Sequence, residues 1–231
     1  MVESGIGTPT GKIHTRHQDE FRLPNRNFHK NVFINCPLDD EYKPILEAIL
    51  FCLVRLGFNP RIATEKIESS QSRLDKIREL IRISKYSIHD LSRCSPSYPD
   101  ELSRMNMPFE LGLDFGCKDF GGFPFDQKMI LVLEEEQYRY QKFISDLSGS
   151  DIESHEKSYV KAIRKVRNWI RTFETSDQIA ADRVVGEYED FRGKHYDKLR
   201  SEGFSQDDIE DYPTTELIGA ITRWLQPDHY R

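Results

Sequence analysis

The strongest constraint on this chain is an alternation. "NVFINCP" carries Val32, Phe33 and Ile34 in a short run closed by Pro37. It is apolar on both sides, as a strand buried within a parallel sheet must be. "EYKPILEAILFCLVRLGF" then repeats Ile45, Leu46, Ile49, Leu50, Leu53 and Leu56 at helical spacing and stops at Gly57. "NPRIA" reads as a second strand. "SRLDKIRELIRISK" reads as an amphipathic helix with Leu74, Ile77, Leu80, Ile81 and Ser84 on one face. "YSIHDLS" is a third strand, "MPFELGLDFGC" a helix with Pro108 in its first turn, and "KMILVLEEE" a fourth strand introduced by Gly121, Gly122 and Pro124. Strand and helix in strict turn imply a parallel sheet covered on both faces: an α/β, flavodoxin-like, doubly wound fold.

The pattern changes after Glu136. Residues 137–152 read either as a last short strand or as a structured loop. "HEKSYVKAIRKVRNWIRTF" is a helix whose stripe is Val160, Ile163, Val166, Trp169 and Ile170, and two further stretches, 178–204 and 207–226, have helical character. We therefore divide the chain into a mobile or loosely docked arm (1–30), an α/β domain (31–136) and a helical extension packed on the sheet domain (137–231). With 37% hydrophobic and 31% charged residues and a net charge of -6, broad binding to nucleic acid or to a membrane surface is not expected. No apolar run is long enough to span a bilayer, and the first twenty residues lack a signal-peptide core. Cys36, Cys52, Cys94 and Cys117 are scattered without a CxxC pair. That pattern fits reduced thiols and a cytoplasmic location better than a disulfide frame or a metal site.

In a parallel sheet, ligands bind outside the carboxyl ends of the strands. That rule singles out Asn35, Asp39, Asp40 and Tyr42 after the first strand, and Arg61, Thr64 and Glu65 after the second. After the third it singles out His89, Asp90, Ser92 and Arg93, and after the fourth Glu134 to Glu136. Each has a structural reading as well. Asp39 and Asp40 can cap the first helix, Asp90 can hold loop amides, His89 reads as a satisfied core histidine, and Glu134 to Glu136 as a solvated charge run. Arg61 suits either a surface ion pair or a phosphate. Glu110 is the most telling. It sits among Met107, Phe109, Leu111 and Leu113, with Gly112 thinning the helix beside it. It either complements the helix dipole from the first turn or is lowered into a pocket.

"VFINCPLDDEYKPILEAI", "ISKYSIHDLSR" and "MPFELGL" together resemble the superfamily that joins nucleoside 2-deoxyribosyltransferases, nucleotide N-glycosidases and Toll/interleukin-1 receptor (TIR) domains. The resemblance runs from about Asn31 to Leu133. It implies a catalytic glutamate at Glu110, followed by Leu111-Gly112, and a strand-end aspartate at Asp90. It also implies a substrate-contacting loop over Asn35 to Tyr42, with Asp39 in its acidic part. The chain departs from the TIR pattern in having Asn35-Cys36 where Ser-Tyr is usual, and Met107 and Phe109 where a tryptophan is often found.

What such a site does follows from its chemistry. Breaking an N-glycosidic bond develops positive charge on the anomeric carbon, which a carboxylate stabilises or attacks. The resemblance therefore implies an NAD hydrolase or related nucleotide N-glycosidase, with NAD as substrate and no cofactor or metal, Glu110 as the catalytic group, and Asn35, Asp39, Tyr42, Arg61, Asp90, Ser92 and Phe109 around the substrate. It also implies self-association into a homo-oligomer and a role in antiphage defence. A nucleoside deoxyribosyltransferase and a non-catalytic module binding a nucleotide or a protein partner are the competing expectations.

Overall fold

The computed structural model describes residues 25–65, 69–94, 105–175 and 179–226. Five strands form a single all-parallel sheet: β1 (Asn31–Asn35), β2 (Asn59–Ile62), β3 (Tyr86–Asp90), β4 (Met129–Glu134) and β5 (Ile152–Ser154). Their spatial order is β2-β1-β3-β4-β5, so the fold is α/β and flavodoxin-like, as the alternation predicts. β1 is buried along its whole length, and so is β3.

Parity assigns each face, because successive strand residues point to opposite sides. Val32, Ile34, Ile88, Leu131 and Leu133 face α1 (Lys43–Arg55), joined there by residues of α4 (Tyr159–Arg171), α5 (Ala181–Ser201) and α7 (Thr214–Trp224) in the largest core. Phe33 faces α2 (Arg73–Arg82), packing with Ile77, Leu80 and Ile81, and Leu113 and Cys117 of α3 (Asn106–Phe120) close that layer. α2 starts where its sequence says it should, with Ser72 Oγ accepting from Asp75 N at 3.1 Å. A short α6 (Gln206–Glu210) turns the chain into α7.

Two expected boundaries move. The chain past Glu136 is not helical alone: β5 pairs with β4 through Val132↔Ile152 and Glu134↔Ser154. It arrives by 3₁₀ turns at Arg139–Lys142 and Ser145–Leu147 rather than by a long helix. On α4, Ala162, Ile163, Val166 and Ile170 lie in the core, with Trp169 packed against it and Val160 half-buried. Each aliphatic side chain so buried contributes about 1.5–3 kcal/mol, so the sheet and the extension share one core. At the other end, Phe28 is buried, and its carbonyl accepts from Lys85 N at 3.0 Å. The last residues of the expected arm are therefore docked, and its residues 1–24 lie outside the described residues.

Candidate functional site

The carboxyl edge of the sheet carries two polar networks, one on each face. On the α2/α3 face, Asn35 Nδ2 donates to the Met107 carbonyl at 3.0 Å and meets His89 Nδ1 at 3.0 Å. A carbonyl only accepts, so the amide nitrogen is the donor and Nδ1 of His89 is an acceptor. Nε2 of His89 therefore carries the hydrogen, and it faces Asp114 Oδ2 at 3.0 Å. Asp114 Oδ1 lies 3.1 Å from Lys128 Nζ. Lys128 is itself buried and donates to the carbonyls of Ile81 and Ser84 at the end of α2. Burial pushes the Asp114 carboxyl up, but its hydrogen bond to His89 and the charge of Lys128 outweigh that and hold it below the usual carboxylate range.

On the other face, Asp90 accepts from Tyr42 Oη at 2.8 Å and from Ser92 N at 2.9 Å, and stands 3.1 Å from His155 Nε2. His155 Nε2 also lies 3.0 Å from Ser92 Oγ. A serine, a histidine and an aspartate in contact suggest a nucleophilic triad, but the connectivity is wrong for one. Both contacts use the same ring nitrogen, while Nδ1 accepts from Lys157 N at 3.2 Å. Nε2 is then the protonated nitrogen and cannot take a proton from Ser92. The group is a clamp between β3, the start of α1 and the chain beyond β5. Burial raises the Asp90 carboxyl, and the His155 and Ser92 hydrogen bonds more than reverse it, leaving it below its ordinary range.

Glu110 has a different setting. It is 5% exposed and lies one helical turn before Asp114 on α3. Among the described residues its ion-pair partner is Arg73, at a long 3.6 Å and itself largely exposed. Burial raises the Glu110 carboxyl above its ordinary range, and the Arg73 charge only partly offsets this. Cys36, just past β1, marks where the carboxylates converge: burial raises its thiol, and the negative charges of Asp90, Glu110 and Asp39 add to the rise. Glu110, Asp90, Asp39 and Tyr42 thus gather around the end of β1, as the strand-end rule leads one to expect. Asp39 is also structural there: its Oδ1 accepts from Tyr42 N at 3.1 Å, and Arg93 pairs with it. Asp40 is exposed.

Other expected residues stand apart. Arg61 pairs with Glu65 at 2.8 Å on the β2 edge and is turned to its own loop. Phe109 is 56% exposed, whereas Met107 and Leu111 of the same helix are buried against Leu91, Cys94 and Val132. A side chain on Gly112 would meet nothing within 4 Å, so no described part of the protein packs closely on that position. The run Glu134 to Glu136 is not solvated as expected. Glu134 and Glu135 are buried because β4 continues through Glu134 and pairs there with β5. Glu134 Oε1 accepts from Glu135 N, Oε2 is buried without a hydrogen-bond partner among the described residues, and burial pushes this carboxyl up to about 8. Glu135 pairs with Lys157 at 2.9 Å.

Sequence reasoning missed Arg73, Asp114, Lys128 and His155. Asp114 was within reach, since a second acid four residues after Glu110 shares its helix face. His155 sits past the ambiguous segment, where no pattern pointed to the sheet edge. Among the described residues no group of three or more His, Cys, Asp or Glu is arranged to hold a metal ion, and no described helix is long and apolar enough to cross a membrane. Compared with protein-family models, with curated proteins and with solved structures, the chain matches none.

Proposed function

We propose that the chain is a nucleotide N-glycosidase that cleaves the bond between nicotinamide and ribose in NAD, with Glu110 as its catalytic group. The observation that carries this reading is the state of Glu110: a buried carboxylate at the carboxyl edge of a parallel sheet, with a distant counter-charge and a raised proton affinity. The C–N bond breaks with its electron pair leaving on nicotinamide, which departs neutral. Glu110 faces the positive charge left on the anomeric carbon, and its raised basicity suits it to take the proton from the water that adds there. Asn35 and the Asp90 clamp act as positioning groups. Asn35 ties the first turn of α3 to β1 and β3, and Asp90 with Tyr42 fixes the loop that carries Asp39. Asp90, held ionised by three donors, is poorly suited to protonate a leaving base. This favours NAD, whose leaving group needs no proton, over a deoxynucleoside.

With the resemblance, the reading extends to a cytoplasmic, self-associating effector of antiphage defence. Four free cysteines agree with a reducing compartment.

The test is incubation of the full chain, over a range of protein concentrations, with NAD and separately with a deoxynucleoside plus a second free base. Nicotinamide and ADP-ribose on chromatography are the expected products. Exchange of base between deoxynucleosides, with NAD intact, would assign the transferase instead. In the same assay Glu110→Gln should lower the NAD cleavage rate about a hundred- to a thousand-fold.

A further inference from the structure

Apart from the Glu110 cluster, the C-terminal helices and α1 line two neighbouring half-open cavities, of about 460 and about 260 Å³. Phe191, His195, Leu199 and Tyr212 line both, so the two share a wall. That wall is aromatic. The His195 ring stacks on Phe191 at 5.2 Å and 11°, and Tyr212 stands edge-on to it at 5.3 Å. Nε2 of His195 is buried and has no hydrogen-bond partner among the described residues. The nitrogen has no surface in either cavity, so what the ring offers a ligand is its aromatic side.

The two cavities differ in charge. In the larger, Glu47, Glu189 and Asp197 outnumber Arg192. In the smaller, Lys198 and Arg223 stand with Glu202, which pairs with Lys198 at a long 3.7 Å, while Lys194 is taken up by Asp190 at 2.7 Å; Trp224 lies beside them. One compartment therefore suits a planar group bearing N–H donors, and the other suits an anion. Arg223 offers the forked donor geometry that phosphate oxygens match. Burial, with Lys198 and Arg223 nearby, holds the His195 imidazole below its ordinary pKa.

We propose that this pair of cavities is a binding site for a mononucleotide, its base lodged against His195 and Tyr212 in the larger compartment and its phosphate held by Lys198 and Arg223 in the smaller. Bases stack on aromatic side chains whatever their identity, and hydrogen bonds from the base edge to Glu47 would supply selectivity. The site is built from α5 and α7 with Glu47 of α1 and Tyr212 before α7, and it shares no residue with the Glu110 cluster.

The experiment is calorimetric titration of the full chain with adenosine 5′-monophosphate, and in parallel with guanosine, cytidine and uridine monophosphates, adenosine and inorganic phosphate. Binding of at least one mononucleotide is expected, weakened about tenfold or more when base or phosphate is supplied alone. The Lys198→Glu, Arg223→Glu double variant should lose it by a similar factor. Both side chains are exposed, and the ion pair of Lys198 with Glu202 is a long 3.7 Å, so unliganded melting should fall only slightly and the loss of binding is attributable to the site. Glu110→Gln should bind as wild type does. No binding of any mononucleotide at millimolar concentration, phosphate binding as tightly as the nucleotide, or binding lost in Glu110→Gln but kept in the double variant would each overturn the proposal. The readout is binding rather than cleavage, so an inert strand-end site and an empty helical site are separate results.

Discussion

Glu110 and Asp114 are two acids one helical turn apart on the same face of α3, and both are buried. Asp114 is enclosed by His89 and by Lys128, which is itself tied to the end of α2. Its charge is part of what joins α3 to the sheet. Glu110 meets only the distant, exposed guanidinium of Arg73 among the described residues. The same burial thus has opposite results: one carboxyl is held below its usual range and the other above it. A buried acid with its partners in place reads as structure, and a buried acid left short of them at the sheet's ligand edge reads as chemistry. That difference, rather than burial itself, is the ground for assigning Glu110 to the reaction.

The largest effect should come from removing the partnered charge. Asp114→Asn leaves Lys128 buried without its counter-ion and should cost about 3–5 kcal/mol of stability, read from denaturant unfolding at pH 7. A loss under about 1 kcal/mol would place Asp114 beside Glu110 and dissolve the contrast. The sign with pH is also set. A depressed carboxyl contributes stability that is present above its unfolded pKa and is lost as pH falls through its folded pKa. The gap between wild type and Asp114→Asn should therefore close in acid.

Asp90 belongs with Asp114 in this comparison, because its carboxylate is also saturated with donors. Tyr42→Phe removes one hydrogen bond to that charge and should cost about 1.5–3 kcal/mol, with melting as the check. An unchanged melting temperature would mean that the Tyr42 hydroxyl is there for a ligand rather than for the clamp.

Glu134 sharpens the contrast from the other side, as an acid whose proton affinity is raised further. A group with a raised folded pKa contributes stability that is full below the unfolded pKa, about 4.3 for Glu, and is lost as pH rises through the folded value, here about 8. Wild-type stability should therefore fall across that window, and Glu134→Gln should flatten the slope. Identical pH profiles for the two proteins would show that Glu134 finds a partner in solution.

The smallest effect is expected at Arg73. Its contact joins an exposed guanidinium to the buried Glu110 carboxylate at a long 3.6 Å, so water screens the pair and Arg73→Ala should cost no more than about 1 kcal/mol. It should move the acid limb of NAD cleavage to higher pH, because the charge that lowers the Glu110 pKa is gone. A shift to lower pH would contradict the placement.

β1 and β4 were legible in the sequence because strands buried on both faces carry continuous apolar runs, β3 because Tyr86 and Ile88 alternate with polar residues between two helical stretches, and α1 and α2 because their stripes are long. β5 was not, since Ile152–Ser154 carries one apolar residue and is held by pairing with β4 and by the His155 N to Glu134 carbonyl bond rather than by its own pattern. Within the site, Glu110 stood out because an acid in an apolar run is conspicuous. Lys128 did not, because a lysine before a strand looks like ordinary surface until the carbonyls of Ile81 and Ser84 are seen above it. Phe109 was assigned to the pocket from its neighbours in sequence. On a helix, adjacent residues point about 100° apart, so burial of Glu110 and exposure of Phe109 go together.

The most direct test of this account is the unfolding free energy of Glu110→Gln at pH 7, beside that of Asp114→Asn. It needs no substrate and no trigger. If Glu110 is a carboxylate held in a strained setting for the reaction, replacing it by its neutral isostere should leave stability unchanged or raise it slightly, while Asp114→Asn falls by several kcal/mol. A comparable loss in both variants would mean that Glu110 holds the fold together as Asp114 does, and would contradict its assignment to catalysis.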